Sequence, residues 1–211
     1  MVAINKPSGL AVHRGWARGD RFAMTDVRDA LGRWVYPVHR LDQGASGVLL
    51  FALSPDSARV LSGHFERNEV TKVYVALVRG TPPEACTIDH PLRPENDGPK
   101  VPAVTELRRL AQYGRYALVE ARPRTGRLHQ IRRHLKHLSC PIIGDVRYGK
   151  GEHNRLFRTR YGLSRLALHA TRLTVPALRS GAPIDIEAPL PPEFTHALGE
   201  LALTAPADDG A

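Results

Sequence analysis

A single carboxylate, that of Asp42, lies between a basic pair and a run of small residues in the segment VYPVHRLDQGASGVLLFALS, residues 35–54. His39 and Arg40 precede it, residues 44–47 follow it, and apolar stretches flank the whole. An ionised carboxylate held in a turn between two strands can act as a nucleophile. Aspartate also occurs in turns for a purely local reason, because its side chain bonds nearby backbone groups. The segment alone leaves both a chemical and a structural role open for Asp42.

The most basic stretch of the chain is RPRTGRLHQIRRHLK, residues 122–136, which contains no acidic residue. Its six cationic side chains are Arg122, Arg124, Arg127, Arg132, Arg133 and Lys136. A charge run of this kind is commonly a solvated helix face. On a helix predicted over residues 128–138, at about 100° per residue, four side chains form one apolar stripe: Leu128, Ile131, Leu135 and Leu138.

Arg132 lies on the border of that stripe, whereas Arg133 points away from it. An arginine in such a place is expected to be half-buried, and a half-buried arginine needs a carboxylate partner. Asp42 is a candidate for that partner, although spacing alone does not establish the contact.

Composition and charge bound the kind of protein. The 211 residues suffice for one large domain or two small ones. The formal charge of +9 and the pI of about 10.1 favour a polyanionic partner, with nucleic acid first and an anionic membrane surface second. No apolar run approaches the roughly 18 residues of a membrane helix, and the start MVAINKPSGL is not typical of a secretory signal. Cys86 and Cys140 form no CxxC motif, so reduced thiols in a cytoplasm are expected.

Periodicity and turn signals predict the elements that hold these residues. A short helix is predicted in TDVRDALG, with Thr25 as its N-cap and Gly32 just past its end. Another helix begins after the cap Ser54 with Pro55 at its first position. Pro and Gly between residues 82 and 102 predict a long irregular connection. Strands are predicted at residues 2–5, 34–38, 48–53, 71–80, 116–123, 165–175 and 183–188. Since strands and helices do not alternate strictly, an α+β domain around a large mixed sheet is expected.

Histidine and cysteine at positions 134, 137 and 140 offer a weak alternative, a metal set of the form H-x2-H-x2-C. Three ligands without a fourth do not complete a structural zinc site. The sequence therefore predicts no metal.

Four stretches taken in order resemble the RluA-type pseudouridine synthases, and RLALHA at residues 165–170 fits them too. The four are NKPSGLAVHRG, HRLDQGASG, KVYVALVRG and TGRLHQIRRHLKHLSCPIIGD. The resemblance spans residues 2–170. It implies an α+β pseudouridine synthase fold, with a large mixed, mainly antiparallel sheet flanked by helices and a central RNA-binding cleft. It further implies a single catalytic domain over residues 1–204 without an accessory RNA-binding domain, and a disordered tail is expected at residues 205–211.

The activity implied by the resemblance is the isomerisation of uridine to pseudouridine in RNA, without a cofactor. The stretches SGLAVHRGWARGD, GPKVPAVTELRRLA and GEHNRLFR are most similar to a branch of the family that acts on position 65, in the T stem of tRNA. The same reaction on a large-subunit rRNA stays open, as does, more remotely, a catalytically silent RNA-binding protein. Neither a membrane nor an obligate protein partner is implied.

Individual positions take their roles from the resemblance. Asp42 is the expected catalytic nucleophile, Tyr74 packs against the target uracil and is a candidate base for the C5 proton, and Arg132 pairs with the aspartate. Whether the nucleophile attacks C1′ or C6 stays open. The expected substrate-binding residues are Leu168, which contacts the base, together with His39, Arg40, Arg127, Gln130 and Arg133.

Overall fold

A computed structural model of the chain describes residues 1–14, 21–94, 97–178 and 181–204. In chain order, these residues form β1 (Val2–Lys6), α1 (Ala23–Leu31), β2 (Tyr36–Pro37), β3 (Ser46–Ala52), α2 (Pro55–Glu66), β4 (Thr71–Arg79), β5 (Ala85–Asp89), β6 (Val104–Tyr113), β7 (Tyr116–Pro123), α3 (Gln130–His137), α4 (Gly151–Arg160), β8 (Leu168–Val175), β9 (Ile184–Glu187) and α5 (Pro192–Thr204). The strands of the described residues belong to one sheet.

The chain divides into two compact units. The first unit comprises Met1–Lys72 and Ala170–Pro189, and the second comprises Val73–His169 and the segment from Leu190 onward. No helix of the described residues is long and apolar enough to span a membrane.

Strand β3 is the centre of the first unit. All of its residues are buried, and it pairs antiparallel with β1 from Val2↔Phe51 to Lys6↔Gly47. The short strand β2 pairs with its far end, and β9 pairs antiparallel with β8. The core of this unit includes Val48, Leu50, Leu61, Leu173 and Val175. Because β3 is apolar on both faces, the turn that precedes it is fixed at the edge of this core.

The second unit contains an antiparallel series in the order β4-β7-β6-β5. Leu77 on β4 and Val119 on β7 are fully buried, and Leu135 on α3 is 1 % exposed. Of the apolar stripe predicted on a helix over residues 128–138, Ile131 and Leu135 pack inward, whereas Leu128 and Leu138 are half-buried and lie just outside α3.

Local signals predicted some element ends correctly. Ser54 caps α2, with the amide of Ser57 donating to its Oγ at 3.3 Å, and Gly32 ends α1 at φ 61. The prediction that Thr25 is the N-cap of α1 was wrong. The helix begins at Ala23 after the cap Phe22, and the Thr25 hydroxyl accepts the Phe22 amide at 3.2 Å from inside the first turn.

The connection predicted over residues 82–102 is less irregular than expected. It contains β5, and the backbones of Leu92 and Val101 pair beyond it. Only Ile88 of β5 is buried, so the strand has almost no apolar pattern and is held by its pairing with β6. The sequence reading also assigned neither β6 nor α4 nor α5. The predicted strand at 34–38 is reduced to Tyr36–Pro37.

The single catalytic domain over residues 1–204 and the lack of an accessory RNA-binding domain stay predictions. The disordered tail predicted at residues 205–211 lies outside the described residues.

Candidate active site

Asp42 lies in the turn that leads into β3. Its carbonyl oxygen accepts the amide of Ala45 at 3.0 Å, and Ala45 and Ser46 are each 1 % exposed. Gly47 follows at φ 112, and a Cβ at this position would lie 2.2 Å from the carbonyl oxygen of Ala170. Glycine is therefore required where the strand that carries the turn begins.

The ammonium of Lys6 stabilises this turn through hydrogen bonds to backbone carbonyl oxygens. Lys6 is fully buried, and its Nζ donates to the carbonyl oxygens of Pro7 at 2.8 Å, Leu10 at 2.7 Å and Gln43 at 3.3 Å. A buried charge is tolerated only when such bonds replace its hydration. The stretch NKPSGL is thereby tied to the residue after Asp42. Sequence reasoning missed this role, although a lysine at the end of an apolar strand was a signal for it.

His39 has a structural position in the first unit. Its Nε2 accepts the amide of Leu50 at 2.9 Å, and its ring stacks on Phe65 with centroids 4.7 Å apart. Burial, with a smaller contribution from Lys72, lowers the pKa of His39 to about 3. The ring is therefore neutral at physiological pH. Arg40, the next residue, is exposed.

Arg132 forms a buried ion pair in the second unit. Its Nε donates to Oδ2 of Asp145 at 2.8 Å and its Nη2 to Oδ1 at 2.9 Å, with the two side chains 10 % and 0 % exposed. Arg132 is thus more deeply buried than expected and has the carboxylate that its position required. Sequence reasoning missed Asp145, although it is the first acidic residue after the basic stretch. The pairing of Arg132 with Asp42 stays a prediction.

Asp145 is held by several donors. The amides of Arg147 and Tyr148 donate to its Oδ1 at 2.9 Å and 3.0 Å. Burial opposes ionisation of this carboxyl, but the bonds from Arg132 and from the two amides outweigh it and lower the pKa. The guanidinium of Arg132 also lies 5.1 Å from the centroid of the Tyr148 ring. The orientation of Arg132 is therefore fixed by a charged and an aromatic neighbour.

Gln130 uses its whole amide within the protein. Its Oε1 accepts from the Thr125 hydroxyl at 2.7 Å and the Arg127 amide at 3.0 Å. Its Nε2 donates to the Val104 carbonyl at 2.9 Å and the Thr105 hydroxyl at 3.0 Å. Two acceptor and two donor positions are the full capacity of a glutamine side chain. Gln130 thus pins the start of α3 to β6, which agrees with a residue that shapes the site rather than reacts.

Two further expected site residues of the second unit, Tyr74 and Leu168, lie on strands. Tyr74 is half-buried on β4, where it pairs in register with Ala121. Leu168 begins β8 and is 4 % exposed, and its carbonyl oxygen accepts Nη2 of Arg165 at 3.1 Å. Arg165, which sequence reasoning missed, has a side chain only 10 % exposed.

Arg127 and Arg133, expected to bind RNA, make hydrogen bonds to carbonyl oxygens. Nε of Arg127 donates to Pro102 at 3.1 Å, and Nη1 of Arg133 donates to Arg93 at 2.9 Å. A carbonyl acceptor orients a guanidinium without cancelling its charge. Both side chains therefore keep their attraction for phosphate.

His134, the first member of the weak metal set, is engaged in the core. It is fully buried, with Nδ1 2.9 Å from the Thr105 hydroxyl and Nε2 3.0 Å from the carbonyl oxygen of His90. Nε2 must donate to that carbonyl, so Nδ1 accepts from Thr105. The neighbouring His137 stacks on His90 at 3.9 Å. Across residues 1–14, 21–94, 97–178 and 181–204, no three His, Cys, Asp or Glu side chains are grouped as metal ligands would be.

The chain is similar in sequence and in fold to several known proteins. The family model described as RNA pseudouridylate synthase matches residues 1–137. A protein of Vibrio cholerae named tRNA pseudouridine synthase C is 40 % identical, covering 95 % of this chain and 92 % of its own length. Its namesake in Pasteurella multocida is 44 % identical, covering 82 % and 81 %. The structure titled human RNA pseudouridylate synthase domain containing 4 superposes with a TM-score of 0.78 at 31 % identity, covering 95 % and 89 %.

These likenesses confirm the expected family and its α+β fold, a large mixed sheet flanked by five helices within the described residues. They also confirm that the tRNA-modifying branch, tRNA pseudouridine synthase C, is similar to this chain over most of its length. The central RNA-binding cleft and the roles of individual residues stay predictions. On the strength of a match to more than half of its residues, the chain belongs to the RNA pseudouridylate synthase family of isomerases.

Proposed function

We propose that this protein converts uridine to pseudouridine in tRNA, at position 65 in the T stem. The observation that carries the proposal is the 40 % and 44 % identity with two proteins named tRNA pseudouridine synthase C, over most of each chain. The formal charge of +9 suits a polyanionic substrate. The proposed setting is the cytoplasm, with RNA as the required partner.

Asp42 is the proposed nucleophile. In the overall reaction the C1′–N1 bond breaks, a C1′–C5 bond forms, a proton leaves C5 and N1 gains one. Nothing is oxidised, so the chemistry requires no redox cofactor. A carboxylate can open the sequence by attack at C1′ or at C6, and both routes need Asp42 ionised.

Arg132 is the proposed cation beside Asp42, and Asp145 is its positioning residue. A cation about 4 Å from a carboxylate favours its ionised form by about 4 kcal/mol at an effective dielectric constant near 20. The bonds of 2.8 Å and 2.9 Å to Asp145 offset part of the charge of Arg132, but they restrict its guanidinium to one orientation. Asp145 therefore weakens the electrostatic effect of Arg132 but fixes the orientation of its guanidinium.

Tyr74 and Leu168 are the proposed contacts to the target base. Extraction of a uridine from a stem costs a few kcal/mol because stacking and pairing are lost. An aromatic ring that stacks on the base returns about 1–3 kcal/mol of that cost. Tyr74 is half-buried on β4, which leaves part of the residue accessible to a base.

The test uses transcribed tRNA, the same tRNA with cytidine at position 65, and a large-subunit rRNA transcript. Pseudouridine is expected in the first alone. Product only in rRNA would overturn the tRNA target while leaving the reaction in place, and no product in any transcript would overturn the function. Asp42→Asn should form no product while binding tRNA about as tightly as the parent. Substantial turnover by this variant would refute the nucleophile.

A further inference from the structure

Three of the six cations in the basic stretch at residues 122–136 are paired with carboxylates of the protein. Arg122 bonds Glu120 at 3.0 Å, Arg124 bonds Glu106 at 2.8 Å, and Arg132 bonds Asp145. To contact a phosphate, each of these arginines would have to give up or share a carboxylate. Half of the cations in the densest basic run of the sequence are therefore already paired with carboxylates.

A second basic surface surrounds α4, and we call it the α4 surface. Residues 147–160 contain five cationic residues against one acid, Glu152. The five are Arg147, Lys150, Arg155, Arg158 and Arg160, and all are exposed. Glu152 lies 3.3 Å from the ring of His153.

The packing of α4 sets which side chains face outward. His153 is 6 % exposed and Phe157 is fully buried, so these two define the inner face. At about 100° per residue, Arg155 lies opposite that face and Arg158 lies one turn further on the same side. Residues three apart on a helix have Cβ atoms about 5–6 Å from each other. Within the described residues, no carboxylate lies within 4.0 Å of the guanidinium nitrogens of either arginine.

We propose that the α4 surface, centred on Arg155 and Arg158, binds backbone phosphates of the RNA substrate. Guanidinium groups match phosphate oxygens in a bidentate geometry, and among the residues that the structure describes no carboxylate has to be displaced from these two. A protein that recognises an A-form stem does so mainly through its shape and its phosphates, because the base edges lie in a deep, narrow groove. The proposal rests on the proposed function, since it takes tRNA as the ligand.

The inner face of the same helix connects this surface to Arg132. Asn154 accepts the amide of Gly144 at 2.8 Å through Oδ1 and donates to the carbonyl of Asp145 at 3.0 Å through Nδ2. Asp145 in turn holds the guanidinium of Arg132. Phosphates bound on the outer face of α4 would therefore be held by the element that supports the Asp145 loop.

The test compares two double variants that remove equal charge. The first is Arg155→Gln with Arg158→Gln, and the matched control is Arg122→Gln with Arg124→Gln. Glutamine is a good helix former, so α4 should persist, and thermal unfolding checks this. Affinity for transcribed tRNA is measured across salt concentrations from about 50 to about 200 mM.

The α4 variant should lower the slope of log affinity against log salt by about 2, because two phosphate contacts are lost. The ratio of the parent's affinity for tRNA to that of the α4 variant should accordingly fall about tenfold across that salt range. The control should change the slope by less than about 1. A parental slope in the α4 variant, or equal changes in both variants, would overturn the proposal. Failure of the proposed function shows separately, as absence of pseudouridine with the parent protein.

Discussion

Two arginine-rich regions of this protein, the stretch at residues 122–136 and the helix α4, have similar composition but differ in how many of their arginines are paired with carboxylates. In the first, the carboxylates of Glu120, Glu106 and Asp145 approach three of the arginines. In the second, Arg155 and Arg158 face solvent. The lesson is that charge density along a chain and charge available to a partner are different quantities. The folded backbone decides which acids meet which bases.

The first region contains two kinds of ion pair, one buried and one exposed. The Arg132–Asp145 pair is buried, with side chains 10 % and 0 % exposed, whereas Arg124 and Glu106 are 59 % and 39 % exposed. Loss of one partner from a buried pair leaves an uncompensated charge away from water, but an exposed charge is rehydrated. Loss of one partner should therefore lower the free energy of unfolding much more in the buried pair than in the exposed pair.

The largest expected effect comes from Asp145→Ala. Removal of this carboxylate should lower the free energy of unfolding by about 3–5 kcal/mol, because Arg132 stays buried. The matched control, Glu106→Ala, removes an exposed partner and should cost at most about 1 kcal/mol. Urea denaturation of both variants measures the difference. Equal losses would mean that burial does not distinguish the two pairs.

Gln130→Leu should have the next largest effect. The substitution leaves the Arg127 amide without the acceptor it has in this structure, and the Val104 carbonyl loses one of its two donors and keeps the Arg124 amide. Each buried group left unsatisfied costs about 1–3 kcal/mol. The free energy of unfolding should fall by at least that amount for one group, and Gln130→Glu should not restore it, because a carboxylate cannot donate to Val104. Parental stability of the leucine variant would contradict this assignment.

The pH dependence of stability should depend on His39. Its pKa in the folded protein is lowered from 6.5 to about 3, so the folded state holds the neutral ring while the unfolded chain takes up a proton below 6.5. Stability from this group is therefore complete above pH 6.5 and is lost as the pH falls towards 3. His39→Gln should flatten the decline of stability over this interval. Parallel pH profiles for the two proteins, measured by urea denaturation, would argue against a lowered pKa of His39.

The smallest expected effect is that of Arg133→Gln. Within the described residues, its guanidinium donates to the carbonyl oxygen of Arg93 and meets no carboxylate, so its charge is still able to attract a phosphate. The variant should bind tRNA slightly more weakly and lower the salt slope by about 1, with little change in stability. Arg124→Gln, which removes a charge already paired with Glu106, is the control and should change the slope less. A larger change in the control would reverse the proposed ranking of the two arginines.

Much of the fold was predictable because its signals are local. Ser54 with Pro55 and the positive-φ position of Gly32 mark element ends through bonds between residues near in the chain. Strand β5 was not predictable in this way, since only Ile88 is buried and its partner strand begins at Val104. Helix α4 was missed because most of its residues are polar or charged. Its buried face has only two residues, too few for an apolar pattern of helical period.

By itself, the sequence determined the family resemblance, the strands that carry Tyr74 and Leu168, and the inward placement of Arg132 beside an apolar stripe. These follow from residue order and from the 3.6-residue period of a helix. Only the tertiary structure decided that Asp145, 13 residues further on, binds Arg132 and that Glu106, 18 residues before Arg124, neutralises it. The physical reason is that charges interact through space, whereas a sequence orders them only along the chain.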